Sequence, residues 1–144
     1  LRIAVSGDKT LSSIVLEAEE GTLAGTYTVD NVIIKNETYP INVNTTETVE
    51  LNVSNSTLEG WTSYGSTTTA SFDNVNFTKN NTTGYAYFRP YGNTVLTGCS
   101  FQDGFVIDLS ELVGTIVFEN CTYNGQPLTA ANLTDAPAAG VTIR

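Results

Sequence analysis

The chain of 144 residues contains no histidine and no methionine, only six basic residues against fifteen acidic ones, and two cysteines. Each scarcity excludes something. Without histidine, the commonest general acid–base and metal-ligating side chain is missing. The cations Arg2, Lys9, Lys35, Lys79, Arg89 and Arg144 are scattered. They cannot assemble the basic patch that releases counterions from phosphates, so no nucleic-acid partner is expected. The formal net charge of -9 disfavours anionic membrane surfaces for the same reason. No apolar run approaches the roughly 20 residues of a membrane-spanning helix, no secretory signal is visible, and no direct membrane insertion is expected. The chain begins at Leu1, as a mature protein, an excised domain or part of a larger parent protein would. Two cysteines do not make a disulfide scaffold.

Charged residues make up 15% of the chain, while hydrophobic residues make up 40%. A packed core is therefore available, and the polar surface has to come from Thr, Asn and Ser. Threonine is β-branched and suits strands; asparagine and serine bond to nearby backbone and suit turns. The composition points to an all-β fold.

The sequence also repeats itself. FENCTY (118–123) follows LTGCSF (96–101), FDNVNF (72–77) and VSNSTL (53–58), with a weaker copy in IKNETY (34–39). The leading apolar residues Ile34, Val53, Phe72, Leu96 and Phe118 are separated by 19, 19, 24 and 22 residues. Each copy has Asn or Gly two residues later and an apolar or aromatic residue five later. A period of about 20 residues built from strand formers indicates a solenoid, in which each coil is the template for the next. The recurring Asn or Gly suits a bend with positive φ, and stacked Asn amides can bond from coil to coil. Cys99 and Cys121 then fall in one vertical stack with Val75 and Ser56. Adjacent coils allow a disulfide there, although small buried hydrophobes packed over Val75 are the preferred reading.

Further strands are expected at 13–16, 26–29, 85–88, 105–109 and 141–143, separated by turn signals such as Asp103-Gly104 and Asn124-Gly125. The reading is one domain over 1–144. Residues 1–25 are expected to form a cap or an atypical first coil. Residues 128–144 are expected to form an irregular or briefly helical lateral excursion followed by a last strand.

GTYTVDNVIIKN (25–36), together with FDNVNF, LTGCSF and FENCTY, resembles right-handed parallel β-helix proteins of the pectate-lyase-like superfamily. Within that group the segment is most similar to β-helices of bacterial cell-surface and adhesin-like proteins, including those of gut bacteria. The resemblance spans about residues 25–125. It implies a right-handed parallel β-helix (β-solenoid) of about five to six coils, secreted or displayed at the cell surface, and it is more specific for fold than for activity.

Lyases and hydrolases of this superfamily use clustered carboxylates with a basic partner. In this chain Asp30, Asp73, Asp103, Asp108 and Glu111 are single and fall at unequal points of the repeat. Arg89 and Lys79 lie about one coil from Asp103 or Asp108. Solvated turn carboxylates are the preferred reading, with no catalytic residue, metal or cofactor assigned. A divergent polysaccharide lyase or glycoside hydrolase working through Asp103 or Asp108 is the alternative. The Thr-rich GSTTTA (65–70) does not recur in register, as an ice-binding face requires. Nine Asn-x-Ser/Thr sequons, including Asn36, Asn55 and Asn120, are accounted for by the abundance of both residue types.

The feature that stands out is aromatic. WTSY (61–64) and YAYFRPY (85–91) fall in successive coils. Aromatic faces stack on sugar rings, and polar neighbours such as Asn80, Arg89 and Asn93 bond hydroxyls. Two alignments compete. Strand alternation with Phe88 inward turns Tyr85 and Tyr87 outward, with Trp61 beneath. Aligning Gly84 with Gly104 turns the same tyrosines inward. The candidate ligand-binding residues are Trp61, Tyr64, Tyr85, Tyr87, Arg89 and Tyr91. The expected function is a non-enzymatic extracellular, adhesin-like surface module whose partner is a polysaccharide or host surface glycan. A structural segment of a trimeric phage or surface fibre, a homo-oligomer, is the second alternative.

Overall fold

The computed structural model describes residues 3–5, 7, 9–11, 13–17 and 23–144. The chain winds as a parallel β-helix with three sheets of seven, seven and six strands. The first sheet stacks Ile3–Val5, Gly25–Asp30, Val49–Ser54, Thr68–Asp73, Thr94–Thr97, Ile116–Glu119 and Val141–Ile143. The second begins at Lys9–Leu11 and climbs through Thr57–Glu59 and Asn76–Thr78 to Thr122–Tyr123, where the antiparallel strand Gln126–Pro127 folds back over its edge. The third runs from Ile14–Glu17 through Ile41–Asn44, Trp61–Tyr64, Tyr87–Pro90 and Val106–Asp108 to Leu133–Thr134.

The bend between the first and second sheets is the repeated step of the sequence. Asn31, Asn55, Asn74, Gly98 and Asn120 occupy it with φ of 54°, 49°, 55°, 62° and 52°. Asparagine and glycine reach this left-handed region at little steric cost. The amide of Asn74 donates to Asn55 Oδ1 (3.0 Å), and the amide of Asn55 donates to Asp30 Oδ1 (2.9 Å), so the expected coil-to-coil bonding is present in part.

Pairing corrects the lowest copy of the repeat. Phe118 pairs with Leu96, Leu96 with Phe72 and Phe72 with Val53, but Val53 pairs with Val29 rather than Ile34. Ile34 instead pairs with Leu58 in the second sheet. The true copy is VDNVII (29–34), with Asn31 at the bend. The described residues of 1–25 follow the same plan. Val5 pairs with Val29, and Gly7, two residues on, has φ of 89°. The described part of this segment is thus a regular coil, paired in all three sheets.

The segment 128–139 is less of an excursion than expected. After a single 3-10 turn at Ala130–Asn132, Leu133–Thr134 rejoins the third sheet beside Val106–Asp108. The predicted last strand is present as Val141–Ile143 against Ile116–Glu119.

Inward positions stack into apolar columns. One column holds Val29, Val53, Phe72, Leu96 and Phe118, and the column after the bend holds Val32, Ser56, Val75, Cys99 and Cys121, all buried. Ser56 is tolerated because its hydroxyl donates to Ser54 O (2.6 Å) and accepts from Val32 N–H (3.2 Å). Phe77 and Phe101 stack with centroids 4.6 Å apart and planes 6° apart. Such a pair is worth about 0.5–1.5 kcal/mol beyond the area it buries.

Candidate ligand-binding face

Unequal coil lengths create the site. From Val53 to Phe72 the coil takes 19 residues, whereas the coils from Val29 to Val53 and from Phe72 to Leu96 take 24 each. The short coil passes from the second to the third sheet through Gly60 alone, between Thr57–Glu59 and Trp61–Tyr64. Gly60 has φ of +125°, and a Cβ there would lie 2.8 Å from Thr38 O and 2.9 Å from Asn36 O. Residues 36–40 of the preceding coil therefore pack directly on this corner.

The following coil carries a longer loop at the same corner, 79–86. Buried Asn80 ties it down. Its amide donates to Asn36 O (3.0 Å) and Glu59 Oε1 (3.1 Å), and its Oδ1 accepts from the N–H groups of Thr82 and Thr83, both at 2.9 Å. Thr83 Oγ1 donates to Glu37 O (2.7 Å). The two long loops thus meet across the short coil, and each delivers a tyrosine beside Trp61.

Tyr39 lies 5.0 Å from Trp61 by ring centroids, Tyr87 lies 5.1 Å away and Tyr85 5.9 Å away. Interplanar angles of 32°, 39° and 41° show rings leaning over one another. Strands about 4.8 Å apart leave no room for such rings to lie flat side by side. Tyr87 pairs with Trp61 below and Val106 above, and its neighbour Phe88 pairs with Thr62 and Ile107 and is fully buried. This settles the competing alignments: Tyr85 and Tyr87 face outward and are half-buried, with Trp61 beneath.

Arg89 continues the outward face. Its guanidinium carbon lies 4.7 Å from the Trp61 ring centroid and 5.8 Å from that of Tyr91. Cation–π contact of this kind holds the side chain over the aromatic cluster. Among the described residues Arg89 forms no ion pair; the salt bridge found is between Arg144 and Glu119 at 3.6 Å. Asp108, one coil further along this sheet, accepts from the Ser110 N–H (3.0 Å). Trp61 Nε1 and Arg89 Nε are both buried with no acceptor among the described residues.

Five of the six candidate residues, Trp61, Tyr85, Tyr87, Arg89 and Tyr91, are brought together on this face. Tyr64 is not part of it. Its ring points into the core at 1% exposure, and its hydroxyl meets Thr94 Oγ1 at 2.6 Å. Burial pushes its phenol well above the usual range. The physical reason is alternation: with Trp61 outward and Thr62 inward, Ser63 faces out and Tyr64 in. Tyr39 is the member the sequence did not single out. Its only signal was its place in IKNETY, where the shifted register made it a packing residue.

Beside the cluster is a groove of about 190 Å³, lined by Tyr39, Asn42, Asn44, Ser63, Arg89 and Tyr91 among others. A larger, more open one of about 600 Å³ runs along the second sheet past Asn76, Ser100 and Thr122, with Asp103 at its rim. Asp103 and Asp108 belong to different parts of the coil, the first in an exposed turn and the second on the third sheet. No group of three or more Cys, Asp or Glu able to hold a metal ion occurs among the described residues. Asp30, on the first sheet, is held below its ordinary value by hydrogen bonds from Ser54 and then Asn55. Cys99 and Cys121 are free thiols, both buried. No protein-family model, curated protein or solved structure matches the chain.

Proposed function

We propose that this β-helix is a non-enzymatic extracellular or cell-surface module that binds glycans across the outer face of its third sheet. The observation that carries the reading is the half-buried cluster of Tyr39, Trp61, Tyr85 and Tyr87 with Arg89 over it. Aromatic side chains with polar tips suit the mixed apolar and hydroxylated surface of a sugar. The two loops that shape the cluster are pinned by Asn80 and Thr83, so little ordering remains to oppose binding.

Trp61 is the only tryptophan and lies inside the cluster, so its emission reports on the site. Titration with a panel of soluble polysaccharides should give a saturable change for at least one of them. Tyr87→Ala should abolish that change. No response to any glycan overturns the reading.

A further inference from the structure

We infer that the groove at Arg89 recognises the carboxylate of a sugar acid, presented as a single terminal unit of a glycan. The inference rests on the glycan-binding reading and narrows it. Three observations carry it.

The first is charge. In a chain of net charge -9, Arg89 is the one cation in the aromatic cluster, and no carboxylate among the described residues neutralises it. Asp108, its natural partner by position, spends a carboxylate oxygen on the Ser110 N–H instead. The second is unmet hydrogen bonding. Trp61 Nε1 and Arg89 Nε are buried donors without an acceptor among the described residues. Buried donors are nearly always paired, so two in one cluster leave unmet donor capacity beside a groove that Arg89 itself lines. A guanidinium offers a planar fork that a carboxylate fills with two hydrogen bonds, which a lone hydroxyl cannot do.

The third is size and composition. The groove beside Arg89 holds about 190 Å³ and is flanked by Asn42, Asn44 and Ser63, with Tyr39 and Tyr91 as walls. That is below the roughly 300–1,000 Å³ of a drug-sized site and fits one sugar ring. The amides and hydroxyl suit ring hydroxyls. A long polyanion would meet the acidic chain at every coil, whereas a single terminal carboxylate brings one charge, to the Arg89 end of the groove.

The test uses matched pairs of probes, followed by Trp61 emission in the whole chain. Sialyllactose is compared with lactose, and cellobiouronic acid with cellobiose. At least one acid should bind roughly tenfold more tightly than its neutral partner, as a charge-assisted hydrogen-bonded pair implies. The preference should shrink as salt is raised. Arg89→Gln should bring the acid down to the neutral sugar, and Arg89→Lys should keep only part of the preference. Because each ratio is taken within one variant, a general loss of stability cancels. Equal binding of acid and neutral partner to the native protein overturns this inference and leaves the glycan-binding reading standing; so does a preference that survives Arg89→Gln. If no acid or neutral probe binds, and the polysaccharide panel is also silent, both fall.

Discussion

The hydroxyls of Tyr64 and Thr94, 30 residues apart in sequence, meet at 2.6 Å inside the core. Thr94 Oγ1 donates onward to Gly92 O (3.0 Å), so Tyr64 is the donor and Thr94 the acceptor of the pair. The consequences of breaking it are asymmetric. Tyr64→Phe removes the buried hydroxyl and leaves Thr94 bonded to Gly92, at a cost of about 1 kcal/mol or less. Thr94→Val leaves the Tyr64 hydroxyl buried without a partner, at about 1–3 kcal/mol. The double variant should be more stable than Thr94→Val alone. Urea unfolding midpoints check the order; if Tyr64→Phe is the more damaging single change, Tyr64 is not the donor of the pair.

The bend ladder makes a second prediction. Gly98 interrupts a column of asparagines with φ of +62°, and no atom lies within 4 Å of where its Cβ would stand. Space is therefore available, and only backbone conformation discriminates between substitutes. Gly98→Asn, the residue of the flanking coils, should change stability by less than about 0.5 kcal/mol, since asparagine visits this region readily. Gly98→Ala should cost about 1–2 kcal/mol. Thermal unfolding of the two variants side by side decides it: equal losses would mean that the bend does not select for asparagine.

How much of the fold was legible in the sequence follows from the same ladder. The period, the bend residue and the inward stacking of Cys99 and Cys121 could be read because local pattern and long-range pairing coincide in the upper four coils. In the lowest copy they diverge. Val29 and Ile34 are both apolar, and each is followed two residues later by an asparagine. Only the pairing of Val53 with Val29 tells them apart. The same slip hid Tyr39. For YAYF, the glycine at 84 suggested one phase and the apolar Phe88 another. The register with Thr62 and Ile107 decided for Phe88, because burying a phenylalanine outweighs matching two turn glycines. Tyr64 was legible in principle, since WTSY alternates and an outward Trp61 implies an inward Tyr64. The convergence of loops 36–40 and 79–86 over a short coil was not legible. It depends on contacts between residues 44 and 46 apart that no local pattern encodes.

Asp30 gives the protein a small acid dependence. The Ser54 hydroxyl (2.7 Å) and the Asn55 amide (2.9 Å) both donate to its Oδ1 and favour the charged form. The folded-state value therefore lies below the ordinary 3.8. A carboxyl depressed on folding contributes stability that is present above its unfolded value and is lost as pH falls through the folded one. Asp30 is only partly buried, so solvent screening keeps the effect on unfolding slight and the site is better followed directly. In a carboxyl NMR titration its midpoint should lie below 3.8, and Ser54→Ala should move it up towards that value. A midpoint unchanged by Ser54→Ala would show that the hydroxyl does not hold the charge.

Asn80 ties together the two loops that carry the aromatic cluster. Its amide bridges Asn36 O and Glu59 Oε1, and its carbonyl oxygen gathers the Thr82 and Thr83 N–H groups. Asn80→Ala removes all four contacts, and Asn80→Asp removes only the donors. The second change is the more informative. It keeps shape and acceptors but places a carboxylate beside the Asn36 carbonyl and the Glu59 carboxylate. At neutral pH it should cost about 1–3 kcal/mol, from orphaned acceptors and like-charge repulsion. Acid should recover part of that loss, because a proton on either carboxyl removes the repulsion and restores a donor. The loop it releases carries Tyr85, which lies 5.9 Å from Trp61. Emission from Trp61 should therefore shift to the red at neutral pH and return partway as the pH is lowered below about 5. The Gly98→Asn variant, remote from this corner, should show neither change. A native-like Trp61 spectrum in Asn80→Asp at neutral pH would mean that Thr83 and the strand register hold Tyr85 in place unaided.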